Sequence, residues 1–168
     1  MSERLQKLIA NAGYGSRRWA ERLIEQGRIS INNQEAKLGD KALITDRVTI
    51  DGRLIDLERY SEEETKVLIL NKQAGVICTN KDEEGRKSVF DFLPENTRWV
   101  MVGRLDLNTS GLLLFTNNGD LANKLMHPSS EIDREYAVRV LGKVEDEHIK
   151  QLTSGIELDD GFAKFHRV

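Results

Sequence analysis

The sequence predicts an α+β protein built as a small helix–helix–strand head followed by a mixed, mostly antiparallel sheet. Three observations carry this. Apolar residues recur at helical spacing near the start, at Leu5, Leu8, Ile9 and Ala12 and again at Trp19, Ala20, Leu23 and Ile24. Beyond residue 66 the apolar residues come mainly in short strand-length runs. Between the two patterns, residues 56–65 (DLERYSEEET) have no apolar period and read as a linker.

In the head, the first helix is expected over 3–12, with Gly13 as its stop, and the second from a Ser16 cap to Gly27. Strands follow at 28–31 and 47–50, with turns at Asn32-Asn33 and Asp51-Gly52. This unit, residues 2–55, is near the lower size limit for a lone domain. In the body, residues 66–168, strands are expected at 67–70, 76–79, 99–105, 112–115, 136–141 and 162–168. Asn80 to Lys87 reads as a loop, Asp120 as the cap of a helix ending at Met126, and residues 145–152 as a last helix.

The bulk numbers exclude some classes. No apolar run approaches the ~20 residues of a membrane span, and the N-terminus MSERLQKL is charged where a signal peptide is apolar. A cytoplasmic monomer is expected. Cys78 is the only cysteine, and His127, His148 and His166 lack metal-ligand spacing, so no metal is expected. There is no GxGxxG and no GxxxxGK, so no cofactor loop is present. The net charge is −3, but residues 1–55 carry ten Lys/Arg against seven Asp/Glu while the remainder carries fifteen against twenty-one. A basic head on an acidic body fits a polyanion contact made by the head, although scatter alone could produce it.

Arg18 and Arg22 share one face of the second helix, Arg4 and Lys7 one face of the first, and Arg17 and Arg28 mark the second helix's two ends. Spacing alone allows either a phosphate-gripping face or a solvated one paired with Glu21 and Glu25. The stretch ERLQKLIANAGYGSRRWAERLIEQGRISINNQEAKLGD, however, resembles the S4 domain, a small RNA-binding fold. The resemblance implies contacts to folded RNA through Arg4, Lys7, Arg17, Arg18, Arg22 and Arg28.

Residues 103–119, GRLDLNTSGLLLFTNNG, deliver Arg104 and Asp106 to the end of an apolar strand, two apart and so expected on one face. Charges there are costly unless paired or functional. A lone RxD would fit a structural pair. The whole stretch resembles the catalytic motif of pseudouridine synthases, in the branch that modifies ribosomal RNA. The resemblance implies an isomerase with Asp106 as catalytic aspartate, Arg104 filling the space left by a flipped uridine, and Tyr136, in REYAV, stacking on the uracil. Without the motif, Tyr136 would read as a core tyrosine.

Residues 71–76 (NKQAGV) resemble a segment that reads KPxG in the family, with Gln73 replacing the proline, and LANKLMHP at 121–128 also fits. DEEGR at 82–86 with VFDFLP at 89–94 resembles most the large-subunit, B-type group of the branch. This implies a role in rRNA processing and ribosome biogenesis with 23S rRNA as partner, ahead of 16S. The alternatives are another site on 16S or 23S rRNA, or a non-catalytic S4 RNA-binding protein. The family carries a later motif whose basic residue pairs with the aspartate. It has no match before Val168, so the catalytic sheet is expected to be incomplete at the C-terminus.

Overall fold

Helix α1 (Leu5–Asn11) forms where Leu5, Leu8 and Ile9 can share one buried face. In this computed structural model, which describes residues 2–59, 64–79, 82, 84–95, 97–159 and 161–168, the chain divides into two compact units, Met1–Ile132 and Asp133–Val168. Before α1, β1 (Glu3–Arg4) pairs antiparallel with β4 (Lys41–Ala42). Helix α2 (Arg17–Glu25) starts at the expected cap, the Ser16 hydroxyl accepting the Trp19 N–H at 3.1 Å.

Strands β2 (Ile29–Ile31), β3 (Gln34–Glu35), β5 (Val48–Ile50) and β6 (Arg53–Leu54) make an antiparallel sheet in the order β3-β2-β5-β6. Its first hairpin turns on Asn32 and Asn33, both left-handed at φ 50° and 68°, a conformation asparagine tolerates. The helices cover this sheet through a core that includes Leu5, Ile9, Ala20, Leu23, Ile29 and Val48. Ile55 and Leu57 also belong to this core. The start of the expected linker thus closes the head, while residues 60–63 lie outside the described set.

A second core lies in the same unit. Strands β7 (Val67–Lys72), β8 (Val100–Val102) and β9 (Gly111–Thr116) form an antiparallel sheet ordered β7-β9-β8, with Leu68 opposite Phe115 and Leu70 opposite Leu113. Leu113 and Phe115 bury their side chains with Val76, Val89 and Leu93. Phe90 meets Phe115 edge to face, centroids 5.6 Å apart. Helix α3 (Gly119–Met126) follows. Its cap is Asn118 rather than Asp120: the Asn118 Oδ1 accepts the N–H groups of Asp120 and Leu121, each at 3.0 Å.

The second unit holds α4 (Asp146–Ser154) and a hairpin of β10 (Ile156–Leu158) with β11 (Gly161–Ala163). The expected closing strand is thus shorter and begins one residue earlier. Residues 136–141 alternate like a strand but adopt no regular structure, and alternation makes a strand only where a neighbouring strand supplies hydrogen bonds. The strand expected at 76–79 is reduced to one bridge, Ile77 to Ser88. An α+β protein with mostly antiparallel pairing is what these elements form. Among the described residues no helix is long and apolar enough to cross a membrane.

Candidate active site

Asp106 does not sit on a strand. Strand β8 ends at Val102, and Gly103, at φ 78°, turns the chain out of the sheet, a conformation a side chain would resist. Arg104 and Asp106 therefore occupy the loop leading to β9, and both are exposed. The same-face argument from strand periodicity does not apply to them.

What holds this loop is Lys72, which sequence reasoning misses. It ends β7 on the inward register of Leu68 and Leu70 and is only 1% exposed. Its ammonium lies 2.7 Å from the Thr109 carbonyl, 3.0 Å from that of Asp106, 3.1 Å from that of Gln73 and 3.3 Å from that of Leu107. A lysine has three N–H donors, so these four acceptors share them. A buried ammonium without a carboxylate partner is costly. Here carbonyl dipoles replace the carboxylate and draw the backbone of 106–109 inward around one charge.

Two further bonds fix the loop. The Leu107 carbonyl accepts the Gly75 N–H at 2.8 Å, and the Asp106 carbonyl accepts the Thr109 N–H at 3.1 Å. The Gln73-to-Val76 turn that presents Gly75 closes with Gly75 at φ 86°, the type II geometry that favours glycine. Gln73, standing where the family has proline, is accommodated in that turn. The signal that could have revealed Lys72 was its position: a lysine two residues past an inward leucine.

The basic residues of the head divide into two groups. Arg28 is engaged, its guanidinium meeting both Asp51 oxygens at 2.6 and 2.7 Å. This pair raises the pKa of Arg28 and lowers that of Asp51. Lys7 is engaged as well, 2.6 Å from Glu3 and 2.8 Å from Asp120 at the start of α3. Burial works against the Lys7 charge, but the bonds to Asp120 and Glu3 outweigh it and raise its pKa. Arg4, Arg17, Arg18 and Arg22 are exposed, and none of them has an ion pair among the described residues.

Tyr136 lies in the second unit and is 56% exposed. It is not part of either core. Of the segment 82–86, Arg86 grips Asp82, Nη2 to Oδ1 at 2.7 Å, and holds that carboxyl below its usual range through the side-chain bond. Residues 80, 81 and 83 of the expected loop lie outside the described set.

Comparison with known proteins bears on this arrangement. A family model described as S4 domain matches residues 3–48, and one described as RNA pseudouridylate synthase matches residues 66–163. The chain is 51% identical to ribosomal large subunit pseudouridine synthase B of Yersinia pestis, with all of this chain and 54% of that protein aligned. It is likewise 51% identical to the protein of that name from Escherichia coli strain K12, covering 59% of its length. The chain thus spans little more than half the length of these curated relatives. A solved structure described as a pseudouridylate synthase superposes with a TM-score of 0.58 at 27% identity, covering 94% of this chain and 66% of the other. The match over 66–163 takes in both Lys72 and the loop it holds, and the chain belongs to the RNA pseudouridylate synthase family.

Proposed function

We propose that the full-length protein isomerises a uridine of 23S ribosomal RNA to pseudouridine, with Asp106 as its catalytic residue. The observation that carries this reading is the Asp106 loop: an exposed carboxylate on a backbone pinned from below by Lys72, in a chain of this family. Catalysis by a side chain requires it to be held in place before the substrate arrives. The bond between C1′ of the ribose and N1 of the uracil breaks, and the base turns. Carbon 5 then joins C1′, giving up its proton as N1 gains one. The reaction is an isomerisation, and atoms balance without a metal or other cofactor.

In this reading residues 2–55 act as an S4 RNA-binding domain, 56–65 as linker and 66–168 as the N-terminal part of the catalytic domain. The names of the relatives, which specify the large ribosomal subunit, support 23S rRNA over 16S. The protein works as a cytoplasmic monomer, in the compartment where ribosomal RNA is made. The motif resemblance supports Arg104 as the residue that fills the vacated stack and Tyr136 as the ring that stacks on the uracil. Incubating the purified full-length protein with 23S and 16S transcripts, then mapping pseudouridine in each, tests the reading. A new pseudouridine in 23S alone is expected. One in 16S alone would move the substrate to the small subunit, and none in either would remove the proposed activity.

Tyr136→Phe is expected to retain most activity and Tyr136→Leu to lose on the order of tenfold, because stacking on an aromatic contributes about 1–3 kcal/mol per base. Equal rates for the two variants would show that the ring face is not used.

Arg18→Glu with Arg22→Glu tests the head. Both side chains are exposed on α2, away from the buried Ala20, Leu23 and Ile24, so the fold is expected to survive. RNA binding should weaken, and the slope of log K against log salt should flatten by about 0.7–0.9 for each phosphate no longer neutralised. The apparent KM should rise with little change in kcat. An unchanged slope in the folded double variant would show that this face is only solvated.

A further inference from the structure

Helix α1 of the head meets the start of α3 in the body through two side chains. Lys7 and Asn11 are four residues apart and so share one face of α1. The Lys7 ammonium meets both oxygens of Asp120, at 2.8 and 3.1 Å. Asn11 lies against Gly119, where a Cβ would stand 3.6 Å from the Asn11 Oδ1. Glu3 holds the same ammonium at 2.6 Å. Its own backbone is fixed by the pairing of β1 with β4.

The rest of this seam is not filled by apolar packing. The two apolar cores are separate. A cavity of about 240 Å3 opens at the seam, lined by Glu3, Leu8 and Asn11 from the head and by Thr65, Asn117 and Asn118 from the body. Directed polar contacts are therefore needed to set the angle between the two parts. An ion pair open to water on both sides would contribute little. Here Asp120 stays open, but the Lys7 side chain is only 20% exposed and faces two acids, which reduces the screening of its charge.

The pair also has a rigid path to the site. Asp120 stands in the first turn of α3, and α3 packs on β8 and β9, the strands that flank the Asp106 loop. The pair lies beyond the Thr116 end of β9 and the loop at its Gly111 end, a span of about 20 Å for a strand of six residues.

We propose that Lys7, held between Glu3 and Asp120, is a positioning residue for the reaction: it sets the head against α3 and so determines which uridine of a head-bound RNA reaches Asp106. This rests on the uridine-isomerising reading above, and it gives Lys7 a role within the protein in place of a phosphate contact. RNA gripped by the head presents its uridines at fixed distances from that grip. A misplacement of about 1 Å at the reacting atoms can cost on the order of a hundredfold in rate, so a head free to tilt delivers the base less often in a productive position.

The test uses the full-length protein and the 23S fragment that it modifies. Asp120→Lys sets two ammonium groups face to face and is expected to lower the single-turnover rate at saturating RNA roughly tenfold. RNA affinity should not fall, because the added charge does not repel phosphate. Lys7→Glu should slow the reaction as well. The double variant Lys7→Glu/Asp120→Lys re-forms the pair in the opposite sense and should recover most of the wild-type rate, whereas a defect caused only by the lost acid in the first turn of α3 would persist in it. X-ray scattering of the free protein should show a larger radius of gyration for Asp120→Lys and a return to the wild-type value in the double variant. Asp120→Asn should lower the rate by about two- to fivefold, and it carries the test if Asp120→Lys does not fold.

Wild-type rates in Asp120→Lys and Asp120→Asn would overturn the positioning role and leave the reaction standing. Weakened RNA affinity in Lys7→Glu that Asp120→Lys fails to recover, with Asp120→Asn as fast as the wild type, would make Lys7 a phosphate contact and contradict the proposal. No pseudouridine from the wild type would remove the reaction, and this proposal with it.

Discussion

Lys72→Met is expected to lower stability by about 2–4 kcal/mol, the cost of losing charge-assisted hydrogen bonds to buried carbonyls. Methionine fills similar space but donates no hydrogen bond. The Thr109 carbonyl would be left facing a thioether, while those of Gln73, Asp106 and Leu107 would keep only their backbone N–H partners, and an unsatisfied buried group costs on the order of 1–3 kcal/mol. Relaxation of the loop outward recovers part of that cost by wetting the carbonyls. The same relaxation moves the backbone that carries Asp106. For a chain of this size the melting temperature should fall by on the order of 10 °C. Below the melting range turnover should fall more than RNA affinity, because the phosphate contacts lie elsewhere. A Lys72→Met protein that melts and turns over like the wild type would show that the cluster does not hold the loop.

Asp106→Asn is expected to reduce pseudouridine formation by at least about a thousandfold, on the scale seen when a nucleophilic or proton-transferring side chain is removed. Asparagine keeps the size of the side chain and its chance to hydrogen bond but carries no negative charge. It can neither attack as a carboxylate nor take a proton. Affinity for RNA should change little, because backbone phosphates supply most of the binding. Stability should also hold, since the Lys72 ammonium bonds to the carbonyl of Asp106 and not to its side chain. The two variants separate the roles: one removes the chemistry from an intact loop, and the other loosens a loop whose carboxylate is still present.

Much of the head was legible in the sequence because its signals are local. Ser16 caps α2 and the Asn32-Asn33 pair turns the hairpin, as expected from residue type alone. The body was legible in kind but less so in detail. Strand β8 stops at Val102 because Gly103 turns the chain away, although the apolar run continues to Leu105. Residues 136–141 carry the alternation of a strand without a pairing partner among the described residues. Pairing is not local, so it cannot be read from period alone.

For the site, the motif named Asp106 and Arg104, but the residue beneath them was missed. Lys72 reads as an ordinary charged residue at a strand end. Its meaning comes from a loop 34 to 37 residues further along the chain, which folds over it.

Whether the Asp106 loop carries the chemistry is tested most directly by pseudouridine mapping of 23S rRNA, in cells that lack the gene and are supplied with the full-length protein as wild type or as Asp106→Asn. One pseudouridine is expected to disappear with the gene, to return with the wild type and to stay absent with Asp106→Asn at matched protein levels. Return of that pseudouridine with Asp106→Asn would contradict the assignment of the chemistry to this carboxylate.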